Sequence, residues 1–114
     1  MDREINTINP GSLENHSLQH KHLAIIRGIL DQEFAGSGCK VYIFGSRARK
    51  MHRSASDADL AIQSPEDMHS RIARARHAFE ESDLPFTVDL VDFDYASASL
   101  RREIRETGQL IWES

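Results

Sequence analysis

Gly45-Ser46, ten intervening residues and then Asp57-Ala58-Asp59 lie between two apolar runs, Val41-Tyr42-Ile43-Phe44 and Leu60-Ala61-Ile62. No other part of the sequence constrains the fold as tightly. The two runs read as strands, so the glycine turn leaves the end of one strand and the aspartates enter the next. Residues two apart on a strand point to the same face, and Asp57 and Asp59 can therefore aim at one place. Paired anionic oxygen ligands suit a hard cation such as Mg²⁺. Glycine lets an anion approach the backbone closely, and the turn offers N–H groups to phosphate. This is the layout of a site for a metal-bound nucleoside triphosphate.

Size and charge limit the function classes. The chain has 114 residues, enough for one core and too few for a catalytic domain with a separate acceptor-binding domain. A net charge of −4 argues against bulk nucleic-acid binding. The charge is unevenly spread. Lys40, Arg47, Arg49, Lys50 and Arg53 have no acid among them, whereas Glu80, Glu81, Asp83, Asp89, Asp92 and Asp94 have no base among them. A basic loop opposite an acidic strand fits an anionic ligand held partly through metal ions. The one cysteine, Cys39, cannot form an internal disulfide and reads as a structural thiol, with a reducing, cytoplasmic location as the simple expectation. No apolar run approaches the length of a membrane span.

Along the chain, residues 1–16 are polar and read as a loose arm, leaving 17–114 as the domain. Apolar residues from Leu18 to Phe34 fall at helical spacing, with Gly36 as terminator. Lys40–Phe44 and Ala58–Gln63 read as strands, and 46–51 as a short helical turn between them. Ser64-Pro65-Glu66-Asp67 predicts a helix start, with the helix running to about Ser82. Phe86–Phe93 predicts a third strand. Ser97 or Ser99 caps a last helix that ends at Gly108, and Gln109–Trp112 follows as a strand or extended tail. Helices alternating with strands give an α/β class. The six histidines form no zinc-like set and read as surface imidazoles.

Phe44-Gly45-Ser46-Arg47-Ala48-Arg49 followed by Ser56-Asp57-Ala58-Asp59-Leu60-Ala61-Ile62 resembles the minimal nucleotidyltransferases (MNT domains) of the DNA polymerase β superfamily, small proteins often paired with a HEPN-domain partner. The strand Val88-Asp89-Leu90-Val91-Asp92 and the late Leu-Arg-Arg-Glu-Ile-x-x-x-Gly ending are similar too. The resemblance implies a nucleotidyltransferase fold, a small mixed sheet with helices packed on one side. It implies three carboxylates holding two Mg²⁺ ions, matched here by Asp57, Asp59 and Asp89, with ATP as nucleotidyl donor. Strand parity sets Asp92 on the face opposite Asp89 and makes it the reserve for the third ligand. Gly45 and Ser46 match the triphosphate turn, and Arg47 and Arg49 are candidates for neutralising the phosphates. The implied reaction moves AMP from ATP to an acceptor hydroxyl, with a tyrosine of a HEPN toxin as the acceptor and this chain as antitoxin. Self-association into a homo-oligomer is compatible with this reading.

The sequence departs from the family at Lys50, where glycine is common, and at Ala58, where a β-branched residue is common. These departures motivate a rival reading, a weakly active or inactive chain that neutralises its partner by binding. Transfer to a small molecule, as in aminoglycoside nucleotidyltransferases, would call for an added acceptor domain. Arg47-x4-His52 matches a HEPN ribonuclease signature but falls in the loop of a strand-containing domain.

Overall fold

The computed structural model of the protein describes residues 18–45 and 57–114. The expected arm at 1–16 and the expected turn at 46–51 lie outside them. The elements are α1 (His20–Phe34), β1 (Lys40–Phe44), β2 (Ala58–Gln63), α2 (His69–Glu80), β3 (Val88–Asp92), a 3₁₀ turn (Phe93–Tyr95), α3 (Ala98–Thr107) and β4 (Gln109–Glu113). Four strands form one mixed sheet in the order β3-β2-β1-β4. β1 pairs antiparallel with both β2 and β4, and β2 pairs parallel with β3. A parallel pair needs a crossover, and α2 supplies it.

Alternation along the strands splits the side chains between two layers. Val41, Ile43, Leu60, Ile62 and Leu90 join Ile26, Leu30 and Phe34 of α1 and Ile72 and Phe79 of α2 in the main core. Tyr42, Phe44 and Ala61 face the other way, against Phe93 and Ile104. The two long helices thus share one side of the sheet, as expected, while the short α3 lies on the opposite side. Its apolar stripe is only Leu100 and Ile104, which suffices to cover the patch made by Tyr42, Phe44 and Ala61.

Both edge strands are covered by an arginine from the neighbouring helix. Arg27 of α1 donates to the Ile111 carbonyl of β4 at 2.9 Å. Arg76 of α2 donates twice to the Leu90 carbonyl of β3, at 3.1 and 2.8 Å. An unpaired carbonyl on a sheet edge invites another strand, and a guanidinium bound to it blocks that pairing. Trp112 on β4 also donates from Nε1 to Asp31 of α1 at 2.8 Å, fixing that edge to the helix layer.

Two boundaries differ from the sequence expectation. α2 starts at His69, not at Ser64. The Ser64 hydroxyl lies 3.5 Å from Cys39 Sγ and caps nothing, and Asp67 Oδ1 instead accepts the His69 N–H at 2.9 Å. The β3 ladder is shorter than Phe86–Phe93 because the Asp92 carboxylate accepts the Asp94 N–H at 3.1 Å and turns the chain into the 3₁₀ segment. The segment after Gly108 is a true strand. Other boundary signals hold. Gly36 follows α1 with a positive φ of 76°, the left-handed conformation that closes many helices. Ser97 caps α3, its Oγ accepting the Leu100 N–H at 3.1 Å.

Leu30 is fully buried at the centre of the main core. Leu30→Ala is expected to lower stability by about 2–5 kcal/mol, measured by urea unfolding with Trp112 fluorescence as the probe.

Candidate active site

The parallel pairing of β2 with β3 decides the geometry of the acidic site. Its register aligns Asp59 with Asp89. Neighbouring strands lie about 4.8 Å apart, so the two carboxylates leave the sheet side by side. Both belong to the α3 side, since Ala58, Leu60 and Leu90, their strand neighbours, point into the main core. Asp57 lies one residue before β2 and is exposed. Asp92 projects to the α2 side, where its Oδ2 lies 4.0 Å from His69 Nε2, well away from Asp59 in register. Parity thus separates Asp89 from Asp92 as the sequence analysis anticipated.

The site is a field of like charge. Burial raises the Asp59 carboxyl above the ordinary aspartate value, and the charges of Asp89, Asp57 and Glu103 raise it further. Glu103 comes from α3 and was not foreseen. Asp92 is also raised, chiefly by burial, and the Asp94 amide, His69 and Arg76 pull it partly back.

Gly45 ends β1 against this cluster. It has a positive φ of 76°, and a Cβ built on it would stand 2.9 Å from Asp59 Oδ2. Only glycine combines that backbone with that contact. Its N–H is not turned to open space: it donates to the Thr107 hydroxyl at 3.2 Å. Gly45 therefore contributes space and backbone conformation. Ser46, Arg47, Arg49 and Lys50 lie outside the described residues.

The donor set is all carboxylate oxygen, which fits a hard divalent cation, and a cation would relieve the repulsion that raises Asp59. Among the described residues no three acidic, imidazole or thiol groups close on one point. The arrangement is an open rim, suited to ions shared with a phosphate ligand. Cys39 is buried in the core and takes no part in the site. His22 sits edge-on to Phe86 with ring centroids 5.4 Å apart, and His69 lies against Tyr95 at 4.8 Å, so neither joins the acidic cluster.

A groove of about 630 Å³ runs beside the β3 edge and reaches Asp89, lined among others by Arg76, Phe79, Leu84, Pro85 and Thr87. No helix among the described residues is long and apolar enough to cross a membrane.

The polymerase β nucleotidyltransferase model matches residues 38–114, which contain every strand of the sheet. The chain belongs to this family. A Haemophilus influenzae protein named probable protein adenylyltransferase MntA is 39% identical over 98 residues, covering 84% of this chain and 83% of the relative. Among solved structures, a toxin–antitoxin with AMP-PNP superposes with a TM-score of 0.65 at 25% identity, covering 81% of this chain and 73% of the other. A tri-AMPylated Shewanella oneidensis HEPN toxin in complex with MNT antitoxin shares the fold, with a TM-score of 0.62 at 24% identity over 85% of this chain and 74% of the other. The chain is thus a nucleotidyltransferase built on its family's mixed sheet.

Two residues beside the acidic pair escaped the sequence reading, Glu103 and Thr107. They stand four apart on α3 and so share a helix face. That spacing was available in the sequence, but nothing there said which strand the face would meet.

The raised Asp59 carboxyl carries a pH prediction. A folded value above the ordinary 3.8 means that the folded chain holds this proton more tightly than the unfolded chain. Stability from this group is therefore lost as pH rises from 3.8 through the folded value, and the loss persists above it. Asp59→Asn is expected to melt higher than the native chain at pH 7 in chelator-treated buffer. Calorimetry across pH should show the gap closing as the pH falls below 3.8.

Proposed function

We propose that this nucleotidyltransferase moves AMP from ATP to a tyrosine hydroxyl of a HEPN-domain toxin and so acts as its antitoxin. The observation that carries the reading is the alignment of Asp59 with Asp89 beside the Gly45 turn. The MntA relative, named a protein adenylyltransferase, supports the reaction class. The similar toxin–antitoxin structure with AMP-PNP supports an adenine nucleotide as donor.

In this reading Asp57, Asp59 and Asp89 would hold two Mg²⁺ ions. When bound, the ions supply positive charge to the attacking and leaving oxygens of an in-line displacement. Asp89 stands on the acceptor side and takes the proton from the attacking hydroxyl. The new bond joins the acceptor oxygen to the α-phosphorus, the bond from that phosphorus to the bridging oxygen breaks, and pyrophosphate leaves. Gly45 brings the backbone against Asp59 and starts the turn that receives the triphosphate. Ser46 joins Gly45 in receiving the triphosphate, and Arg47 and Arg49 neutralise phosphate charge. The acceptor approaches along the groove beside Asp89. Arg76 occupies the β3 edge there, which favours a side chain entering from above over an added strand.

The test is label transfer. The pure protein, Mg²⁺, α-labelled ATP and its HEPN-domain toxin partner are expected to yield labelled toxin. Asp57→Asn/Asp59→Asn should reduce the rate by at least about a hundredfold, and so should chelation of the metal. Transfer that survives the double substitution would sink the reading. Full neutralisation of the toxin by the double variant would instead favour inhibition by binding alone.

A further inference from the structure

We infer that Thr107 is a positioning residue for the nucleotide site, acting through the backbone of Gly45 beside Asp59; the inference rests on the function proposed above. One hydroxyl makes both contacts. Thr107 Oγ1 accepts the Gly45 N–H at 3.2 Å and donates to the Glu103 carbonyl at 2.9 Å. The second bond orients the first: with its proton committed to the helix carbonyl, the oxygen presents a lone pair to Gly45.

Gly45 is pinned from two directions. Asp59 Oδ2 limits its α-carbon on one side, and Thr107 holds its N–H on the other. The residue is buried, has a positive φ and directly follows the end of strand β1. A glycine there is conformationally free unless something holds it. The contact spans 62 residues of sequence and joins the last turn of α3 to the end of β1. Thr107 thus fixes the Gly45 backbone against Asp59, and with it the surface that meets the triphosphate beside Asp59 and Asp89.

Three variants separate this role from simple packing. Thr107→Ser keeps the hydroxyl, whereas Thr107→Val keeps the shape and leaves the Gly45 N–H against a methyl group. Amide hydrogen exchange at Gly45 reads the contact without any activity. Thr107→Val should speed that exchange by about fivefold or more, and Thr107→Ser should stay near the native rate. In the transfer assay Thr107→Val should raise KM for Mg²⁺–ATP by about fivefold or more with a smaller change in kcat, and Thr107→Ser should restore it. Leu100→Ala, which loosens α3 packing without touching the hydroxyl, should lower Tm without that KM change. Native exchange at Gly45 in Thr107→Val would overturn the inference even if the protein transfers no AMP. Faster exchange with unchanged KM in an active enzyme would overturn the link to nucleotide alignment. An inactive native protein with faster Gly45 exchange in Thr107→Val would overturn the proposed function and leave the contact standing.

Discussion

The parallel pairing of β2 with β3 is the constraint on which the site depends. It sets two carboxylates of equal charge side by side, and the charge of Asp89 adds to burial in raising the Asp59 carboxyl. Nothing local favours that arrangement. It is held by the layer beneath, where Leu60, Ile62 and Leu90 pack against α1 and α2 and leave no freedom of register. A slip of one residue would turn Leu60 out of the core and Asp59 into it. The same apolar pattern that stabilises the sheet therefore fixes the acidic pair.

The two faces of the sheet divide the labour. The face covered by α1 and α2 carries most of the core, and each of these helices also lends an arginine to an edge strand. The other face carries a small apolar patch under α3 and the acidic rim beside it. α3 contributes to the rim as well as to packing, through Glu103 near Asp59 and Thr107 at Gly45. A short helix with a narrow apolar stripe is tied to the sheet also by the hydrogen bond between Thr107 and Gly45 at the end of β1.

Much of this was legible in the sequence. The strands Lys40–Phe44 and Ala58–Gln63 have the predicted limits, because each carries a short apolar run, Val41–Phe44 and Leu60–Ile62, without a competing signal. Parity alone separated Asp89 from Asp92. The start of α2 was misread because Ser64 and Pro65 look like a cap, while the Ser64 hydroxyl faces Cys39, 25 residues earlier and just before β1. Such a competitor is invisible to a local rule. Thr107 was passed over for the same reason, since its partner is a backbone N–H and leaves no mark in composition or spacing. The third helix was expected on the same side as the others because two apolar positions do not reveal which face of a sheet they will cover.

The central claim is that Asp59 and Asp89, brought together by strand register, share in holding divalent ions with the nucleotide. Calorimetric titration of the chain with Mn²⁺ and a non-hydrolysable ATP analogue tests it most directly, comparing the native chain with Asp89→Asn and Asp92→Asn. The account predicts that Asp89→Asn weakens the metal–nucleotide complex by tenfold or more, the scale of a lost ligand, while Asp92→Asn binds as the native chain does. Native affinity in Asp89→Asn, or an equal loss in Asp92→Asn, would contradict it.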